Sequence, residues 1–186
     1  MRIGVSGIPG SFTEVAARTY AGEAPAEIEY LTTTATVLDA VEAGTIDVGI
    51  FAIENSNGGV VTEYLPAIAE HRFSIDKIFE IPVDHMLLAK KDTNPSDITK
   101  IVSQRQALRQ CRSYLLRQWP NIEVEEYVDT ATAAKDLSEG KLPETAAVVA
   151  SARAGEIYGL SVLDERIQDL KFNYTVFIAA KKFVAQ

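Results

Sequence analysis

The sequence predicts an α/β protein of two similar lobes that face a cleft. Strand-like and helix-like segments alternate from a strand at 2–6 to a strand at 46–53, and the alternation starts again at a short strand at 100–102. Strands joined through helices pair in parallel by right-handed crossovers, so each half forms its own sheet. No linker rich in Pro, Gly or Ser separates the halves, and we place the boundary near residue 80.

Local signals define the individual elements. Ser11 to Glu14 and Ser103 to Gln106 match capping boxes, Gly44 ends a helix, and Pro120 stops another. The predicted helices are 11–20, 34–43, 62–70, 103–119, 130–138 and 152–158. The predicted strands are 2–6, 27–31, 46–53, 73–81, 83–89, 100–102, 123–128, 146–150, 160–163 and 172–181.

The composition limits the possible partners and compartment. The net charge is -8, from 18 Lys and Arg against 26 Asp and Glu, with no basic run, which argues against nucleic acid and anionic membranes. No window approaches the ~20 apolar residues that cross a bilayer, and the N-terminus enters a strand without a signal-like apolar core. The single cysteine, Cys111, excludes an internal disulfide. We expect a cytoplasmic protein.

The segment from 48 to 61 carries the clearest polar strand end. An apolar strand stops at Asn55 and Ser56, which are followed by Gly58 and Gly59. The carboxyl ends of strands in open α/β sheets are where ligands bind, so this amide and hydroxyl are candidate ligand contacts. An ordinary polar loop is the competing interpretation, because Asn, Ser and Gly populate turns in general.

The helix predicted after residue 103 offers groups for a carboxylate. Gln106 and Gln110 lie on one face by helical spacing, with Arg105 and Arg109 beside them. A solvated basic face is the competing interpretation.

Three further segments can each be interpreted in two ways. Thr130 follows Asp129 at a helix start, where an N-cap role is favoured over a ligand contact. Thr175 lies in the last strand, either for packing or with its hydroxyl as a proton donor. The glycines from Gly4 to Gly10 weakly resemble a dinucleotide fingerprint, but Pro9 removes a backbone donor, so a tight turn or a carboxylate site is favoured.

Metal chemistry is not indicated. His71 and His85 have no metal-ligand spacing with each other or with the cysteine, and each is interpreted as a structural residue.

Six segments, taken in order, resemble the catalytic domain of the prephenate dehydratase family over essentially the whole chain. They match the family's GPEGTF, IENS..G.V, H.LL, SHPQAL.QC, STA.AA and N.TRF motifs. The matching segments are Gly7–Phe12, Ile53–Val60, His85–Leu88, Ser103–Cys111, Asp129–Ala134 and Asn173–Phe177.

The resemblance implies a fold and a reaction. The fold is the type II periplasmic-binding-protein kind, with residues 1–80 and 165–186 in the first lobe, 81–164 in the second, and the C-terminal strand returning to the first. The activity is conversion of prephenate to phenylpyruvate in a homodimer, without cofactor or metal. Thr175 is the implied catalytic hydroxyl. The implied substrate contacts are Asn55, Ser103 and Gln110, with Ser56, Thr130 and Asn173 as further candidates. Arg105 is added as a candidate contact because of its charge.

Two departures from the family motifs bear on the assignment. Val176 stands where the family has the arginine of TRF, and Gln104 and Arg105 replace its His-Pro; we expect Arg105 to compensate for the lost charge. The altered motif keeps three further functions open: a prephenate decarboxylase, an arogenate dehydratase, or a binding protein without activity. The sequence ends at Gln186, so we expect no ACT-type regulatory domain.

Overall fold

The computed structural model describes residues 1–185. These residues form two compact units, each with its own sheet. Unit 1 comprises Met1–Ile8, Phe12–Pro82 and the segment from Tyr174 onward, and unit 2 comprises Pro9–Ser11 and Val83–Asn173. The predicted α/β class is confirmed.

The elements are numbered in chain order. The strands are β1 (Arg2–Ser6), β2 (Glu27–Leu31), β3 (Val48–Asn55), β4 (Gly59–Val60), β5 (Phe73–Pro82), β6 (Met86–Ala89), β7 (Lys100–Gln104), β8 (Glu123–Tyr127), β9 (Ala146–Ala150), β10 (Ser161–Asp164) and β11 (Tyr174–Lys182). The helices are α1 (Phe12–Ala21), α2 (Thr34–Ala43), α3 (Leu65–Glu70), α4 (Arg105–Gln110), α5 (Arg112–Gln118), α6 (Thr130–Ser138) and α7 (Ala152–Tyr158).

The sheet of unit 1 joins the two ends of the chain. Its strand order is β2-β1-β3-β11-β5, with β4 beside β3. Strand β1 is parallel to β2 and β3, whereas β11 is antiparallel to β3 and β5. The predicted return of the C-terminal strand to the first half is confirmed. This return places Thr175 in register with Asn55.

Helix α2 packs closely on this sheet. It follows a capping box between Thr33 and Thr36 and ends at Gly44, whose φ of 74° suits glycine. A Cβ on Gly49 of β3 would lie 2.7 Å from Val37 Cγ1, so only glycine lets the helix approach this near. The bounds predicted for α2 are confirmed.

The sheet of unit 2 has the order β10-β6-β9-β7-β8. Strand β7 is parallel to β8 and β9, and β6 is antiparallel to β9 and β10. All five residues of β9 are buried, as expected for a central strand covered on both faces. The described helices include none with the length and apolar character needed to cross a bilayer.

The prediction of a single helix over 103–119 is wrong. Strand β7 continues through Gln104, and two short helices follow, α4 and α5, which meet at Cys111. Ser103 therefore lies inside a strand paired on both sides and caps nothing; the N-cap position of α4 is Gln104, which makes no side-chain cap bond. Similarly, Asp129 and not Thr130 caps α6, because its carboxylate accepts the Thr132 N–H at 2.7 Å.

Residues 81–82, predicted in the second lobe, are the end of β5 and belong to unit 1. Two further segments fall in a different unit from the predicted lobe. Residues 165–173, predicted in the first lobe, belong to unit 2. Ile167 is 2% exposed within the unit 2 core and donates its backbone N–H to the His85 carbonyl at 2.9 Å. Residues 9–11 also belong to unit 2, where Tyr158 Oη donates to the Pro9 carbonyl at 2.7 Å. Neither segment has the apolar periodicity from which such contacts are predicted.

Candidate active site

Thr175 and Asn55 are in contact across neighbouring strands of unit 1. Asn55 Nδ2 donates to Thr175 Oγ1 at 2.9 Å and to the Tyr174 carbonyl at 3.1 Å. Thr175 is only 9% exposed, so bulk water screens this contact weakly. The hydroxyl predicted to be catalytic therefore has a fixed N–H donor on its oxygen.

The turn after β3 sets the orientation of the Asn55 amide. Asn55 Oδ1 accepts the backbone N–H groups of Asn57 at 3.0 Å and Gly58 at 2.8 Å. Because these backbone groups are donors, the carbonyl end of the amide has to face them and the NH₂ end has to face Thr175. Thr175 Oγ1 is the acceptor in that contact, so its own hydrogen points away from Asn55.

Ser56 holds the beginning of β11. Its backbone N–H donates to the Tyr174 carbonyl at 2.9 Å, and its Oγ accepts the Tyr174 N–H at 3.0 Å. These bonds support Thr175, the next residue along β11. A contact of Ser56 with substrate stays a prediction.

Val176 lies on the opposite face of the sheet from Thr175, because successive strand residues point to opposite faces. Its register partners are Glu54 on β3 and Glu80 on β5, and both glutamates are exposed. The position where the family has an arginine is therefore flanked by two carboxylates.

In unit 2, the partly buried Gln110 is the centre of a hydrogen-bond group. Its Oε1 is 2.7 Å from His85 Nε2 and accepts from Asn173 Nδ2 at 3.1 Å. Asn173 Nδ2 also donates to the Val83 carbonyl at 3.1 Å, and Asn173 is 1% exposed. The structure thus brings together Gln110 and Asn173, two of the predicted contacts.

His85 is held from both ends and is 3% exposed. Its backbone N–H donates to Gln168 Oε1 at 3.0 Å, and Gln168 Nε2 donates to Asp84 Oδ1 at 2.6 Å. Burial is the main effect and holds the pKa of His85 below its ordinary value, although the Gln110 contact and the Asp84 charge act in the other direction. His85 is therefore a neutral imidazole at physiological pH.

The other predicted contacts in unit 2 have different surroundings. Ser103 is fully buried, and its hydroxyl donates to the Val149 carbonyl at 2.6 Å, which joins β7 to β9. Thr130 is buried at the start of α6. Arg105 is exposed, with its Nε 3.6 Å from Glu126 Oε1. Their substrate contacts stay predictions.

Residues 1–185 hold no cluster of three or more His, Cys, Asp or Glu side chains able to bind a metal ion. Cys111 is a buried free cysteine, and burial raises the pKa of its thiol to about 12. Its thiol is therefore protonated and unreactive.

The contact between the His85 ring and Gln110, 25 residues away in the chain, was not predicted from the sequence. The H.LL motif was the available signal, but a motif does not identify the partner of a side chain.

Comparison with known proteins identifies the family. The family profile described as prephenate dehydratase matches residues 3–183. Arogenate dehydratase 5 of Arabidopsis thaliana is 36% identical over 179 residues, which cover 96% of this chain and 41% of that protein. The chain thus spans less than half the length of this relative.

Solved structures agree. Prephenate dehydratase of Arthrobacter aurescens, in complex with L-Phe, superposes with a TM-score of 0.91 at 32% identity, over 100% of this chain and 61% of that one. A methionine-bound nutrient-binding protein of Burkholderia cenocepacia has a TM-score of 0.51 at 14% identity, over 97% of this chain and 84% of that one. This second likeness concerns the fold alone, which is that of type II periplasmic-binding proteins. The chain belongs to the prephenate dehydratase family.

Proposed function

We propose that this chain catalyses the decarboxylating dehydration of prephenate to phenylpyruvate, a carbon–oxygen lyase reaction of L-phenylalanine biosynthesis, with Thr175 as the proton donor. The observation that carries the proposal is the bond from Asn55 Nδ2 to Thr175 Oγ1 at 2.9 Å. Membership of the family supports it. No cofactor is required, because the ring of prephenate gains aromaticity when it loses carbon dioxide and hydroxide.

The reaction needs one proton at the leaving group. The bond between the ring and its carboxylate breaks, and its electron pair enters the ring as the carbon–oxygen bond to the hydroxyl breaks. The departing hydroxide takes the hydrogen of Thr175 and leaves as water, and solvent returns a proton to Thr175. A positioned acid contributes about 10² to 10⁴ in rate to such a step.

Asn55 supports this role of Thr175. The alkoxide that forms as Thr175 gives up its hydrogen is stabilised by an N–H donor already aimed at its oxygen. The donor costs no reorganisation, since the backbone N–H groups of Asn57 and Gly58 hold the amide in place.

The substrate carboxylates require hydrogen-bond donors and positive charge. We propose that Gln110 and Asn173 contact them, with Arg105 supplying positive charge, and that Ser56, Ser103 and Thr130 take part. Arg105 is the cation of this set, and its pair with Glu126 is long and exposed, so the guanidinium exchanges partners at little cost. Loss of prephenate binding in Arg105→Ala supports the assignment; unchanged KM and kcat reject it.

Arogenate is the second candidate substrate. The Arabidopsis thaliana relative named arogenate dehydratase is 36% identical to this chain. The two acids differ in a keto or an amino group on the side chain, and the same Thr175 chemistry serves both. A decarboxylase that keeps the ring hydroxyl and a binding protein without turnover are the remaining candidate functions.

Product identity separates these functions. Purified protein is incubated at about pH 8, where acid-promoted breakdown of prephenate is slow, with prephenate and, separately, with arogenate. Formation of phenylpyruvate from prephenate supports the proposal. If the protein turns over arogenate alone and forms phenylalanine, arogenate is its substrate instead. A product that retains the hydroxyl, or binding without turnover of either acid, rejects it.

We also propose a homodimer. Strand β5 is at the edge of its sheet, and Ile75 and Ile78 are 52% and 57% exposed on it. Exposed apolar side chains on an edge strand favour pairing with a second copy. Sedimentation at micromolar concentration is expected to give a dimer mass that Ile78→Asp reduces to the monomer; a monomeric wild-type chain rejects the proposal.

We propose a cytoplasmic location. The support is the single buried cysteine, Cys111, which fits a reducing compartment. Recovery of the natural protein in another compartment on cell fractionation rejects this location.

A further inference from the structure

We propose that His85 is a positioning residue, which fixes the amide of Gln110 so that its N–H groups face a carboxylate of the substrate. This inference rests on the proposed function, because it takes the ligand to be an anionic prephenate-like acid. His85 itself touches no substrate in this account and acts only through Gln110.

A backbone carbonyl determines the orientation of the Asn173 amide. Asn173 Nδ2 lies 3.1 Å from the Val83 carbonyl oxygen, which is an acceptor and cannot exchange roles. The nitrogen end of the Asn173 amide therefore faces both Val83 and Gln110, and the Gln110 atom that meets it at 3.1 Å is an oxygen.

The same oxygen determines the tautomer of His85. Gln110 Oε1 lies 2.7 Å from His85 Nε2, and since an amide oxygen only accepts, Nε2 carries the hydrogen. With two donors on its oxygen, the Gln110 amide has one favourable orientation. Its NH₂ group then points away from His85 and Asn173.

A second set of bonds keeps the histidine in place. The backbone N–H of His85 donates to Gln168 Oε1 at 3.0 Å. Gln168 is oriented in turn, because its Nε2 donates to Asp84 Oδ1 at 2.6 Å. Gln110 is held through its backbone carbonyl, which accepts the backbone N–H of Asp169 at 2.7 Å. Both partners of the His85–Gln110 bond are thus fixed independently of it, so the bond orients the amide and does not assemble the fold.

An oriented amide lowers the cost of binding an anion. A free glutamine side chain loses rotamer freedom when it binds a ligand, and one held in advance does not. Replacing the Nε2–H donor by an apolar group removes about one hydrogen bond, which corresponds to about tenfold in affinity. The expected effect is on KM more than on kcat.

The kinetic test compares three variants of the full chain with either substrate. We expect His85→Leu to raise KM about tenfold with a smaller change in kcat, and His85→Gln, which returns an N–H donor, to recover the KM. Gln110→Glu keeps an oxygen for His85 and Asn173 but has no N–H, so it raises KM at least as much. Unchanged KM in His85→Leu, or a KM in His85→Gln equal to that of His85→Leu, overturns the proposal.

A spectroscopic test needs no activity. The chain has 2 histidines, so ¹⁵N spectra of the ring nitrogens are assigned with a His71→Asn variant. At about pH 8 we expect neutral His85 with the hydrogen on Nε2; an Nδ1–H tautomer overturns the proposal. If the wild-type chain turns over neither acid, the proposed function is rejected. The tautomer of His85 still tests the positioning of Gln110 in that case.

Discussion

At the scale of single residues, hydrogen bonds to the oxygen atoms of two side-chain amides set the orientation of these amides. Asn55 directs its NH₂ group at Thr175 because backbone donors occupy its oxygen. Gln110 directs its oxygen at His85 and Asn173. In each case the useful end of the amide follows from what binds the other end, which the sequence does not reveal.

The Asn55→Asp variant tests the donor group of the Asn55 amide while it keeps an acceptor for the turn. A carboxylate still accepts the N–H groups of Asn57 and Gly58, but it offers Thr175 an acceptor where it had a donor. The Thr175 hydrogen then turns to the new carboxylate instead of the substrate, and we expect kcat to fall about 10²- to 10³-fold with a similar melting temperature. A variant with wild-type kcat contradicts the role of Asn55, and Asn55→Ala controls for loss of the turn.

The two histidines change the free energy of unfolding in opposite directions as the pH falls. His85 favours its neutral form, since burial lowers its pKa, so its contribution is present above the unfolded value of 6.5 and lost as pH falls. The hydrogen bond to Asp39, with that to the Ala67 carbonyl, raises the pKa of His71, so its contribution is present below 6.5 and lost as pH rises through the folded pKa.

Urea unfolding at about pH 7.5 and about pH 5.5 measures both effects. Relative to wild type, we expect His85→Gln to lose less unfolding free energy on acidification and His71→Asn to lose more. Equal pH dependence in all three proteins contradicts these assignments.

At the scale of elements, alternation and caps predict most of the framework. Helix α2 is found with its predicted bounds because Thr33 and Gly44 mark its ends. The break between α4 and α5 at Cys111 was not predictable from periodicity, since Leu108, Cys111 and Leu115 keep helical spacing and all enter one core. The break changes the backbone conformation without changing the spacing of the apolar residues.

Val176→Arg tests the departure from the family motif within β11. An arginine at this position meets Glu54 and Glu80 as register partners, and opposite charges across strands contribute about 0.2–1 kcal/mol. We expect higher unfolding free energy and unchanged kcat, because this face is opposite Thr175. Val176→Gln controls for size; a tenfold rise in kcat with Val176→Arg contradicts the account.

At the scale of the whole molecule, the sequence predicted two α/β halves but not all their bounds. The C-terminal strand was predicted to join the first half by family resemblance, and it lies between β3 and β5. Residues 165–173 could not be assigned correctly, because they join unit 2 through the buried side chain of Ile167 and irregularly spaced hydrogen bonds, such as that from the Asp169 backbone N–H to the Gln110 backbone carbonyl at 2.7 Å. Contacts of this kind leave no periodic pattern.

The central claim is that the hydroxyl of Thr175 protonates the leaving group, and Thr175→Val against Thr175→Ser tests it most directly. Valine has the shape of threonine without the oxygen, whereas serine keeps the oxygen without the methyl group. Measured with the substrate that the wild-type chain turns over, we expect Thr175→Val to lose at least about 10²-fold in kcat with KM little changed, and Thr175→Ser to stay within about tenfold. A Thr175→Val protein that keeps kcat within about tenfold of wild type contradicts the claim.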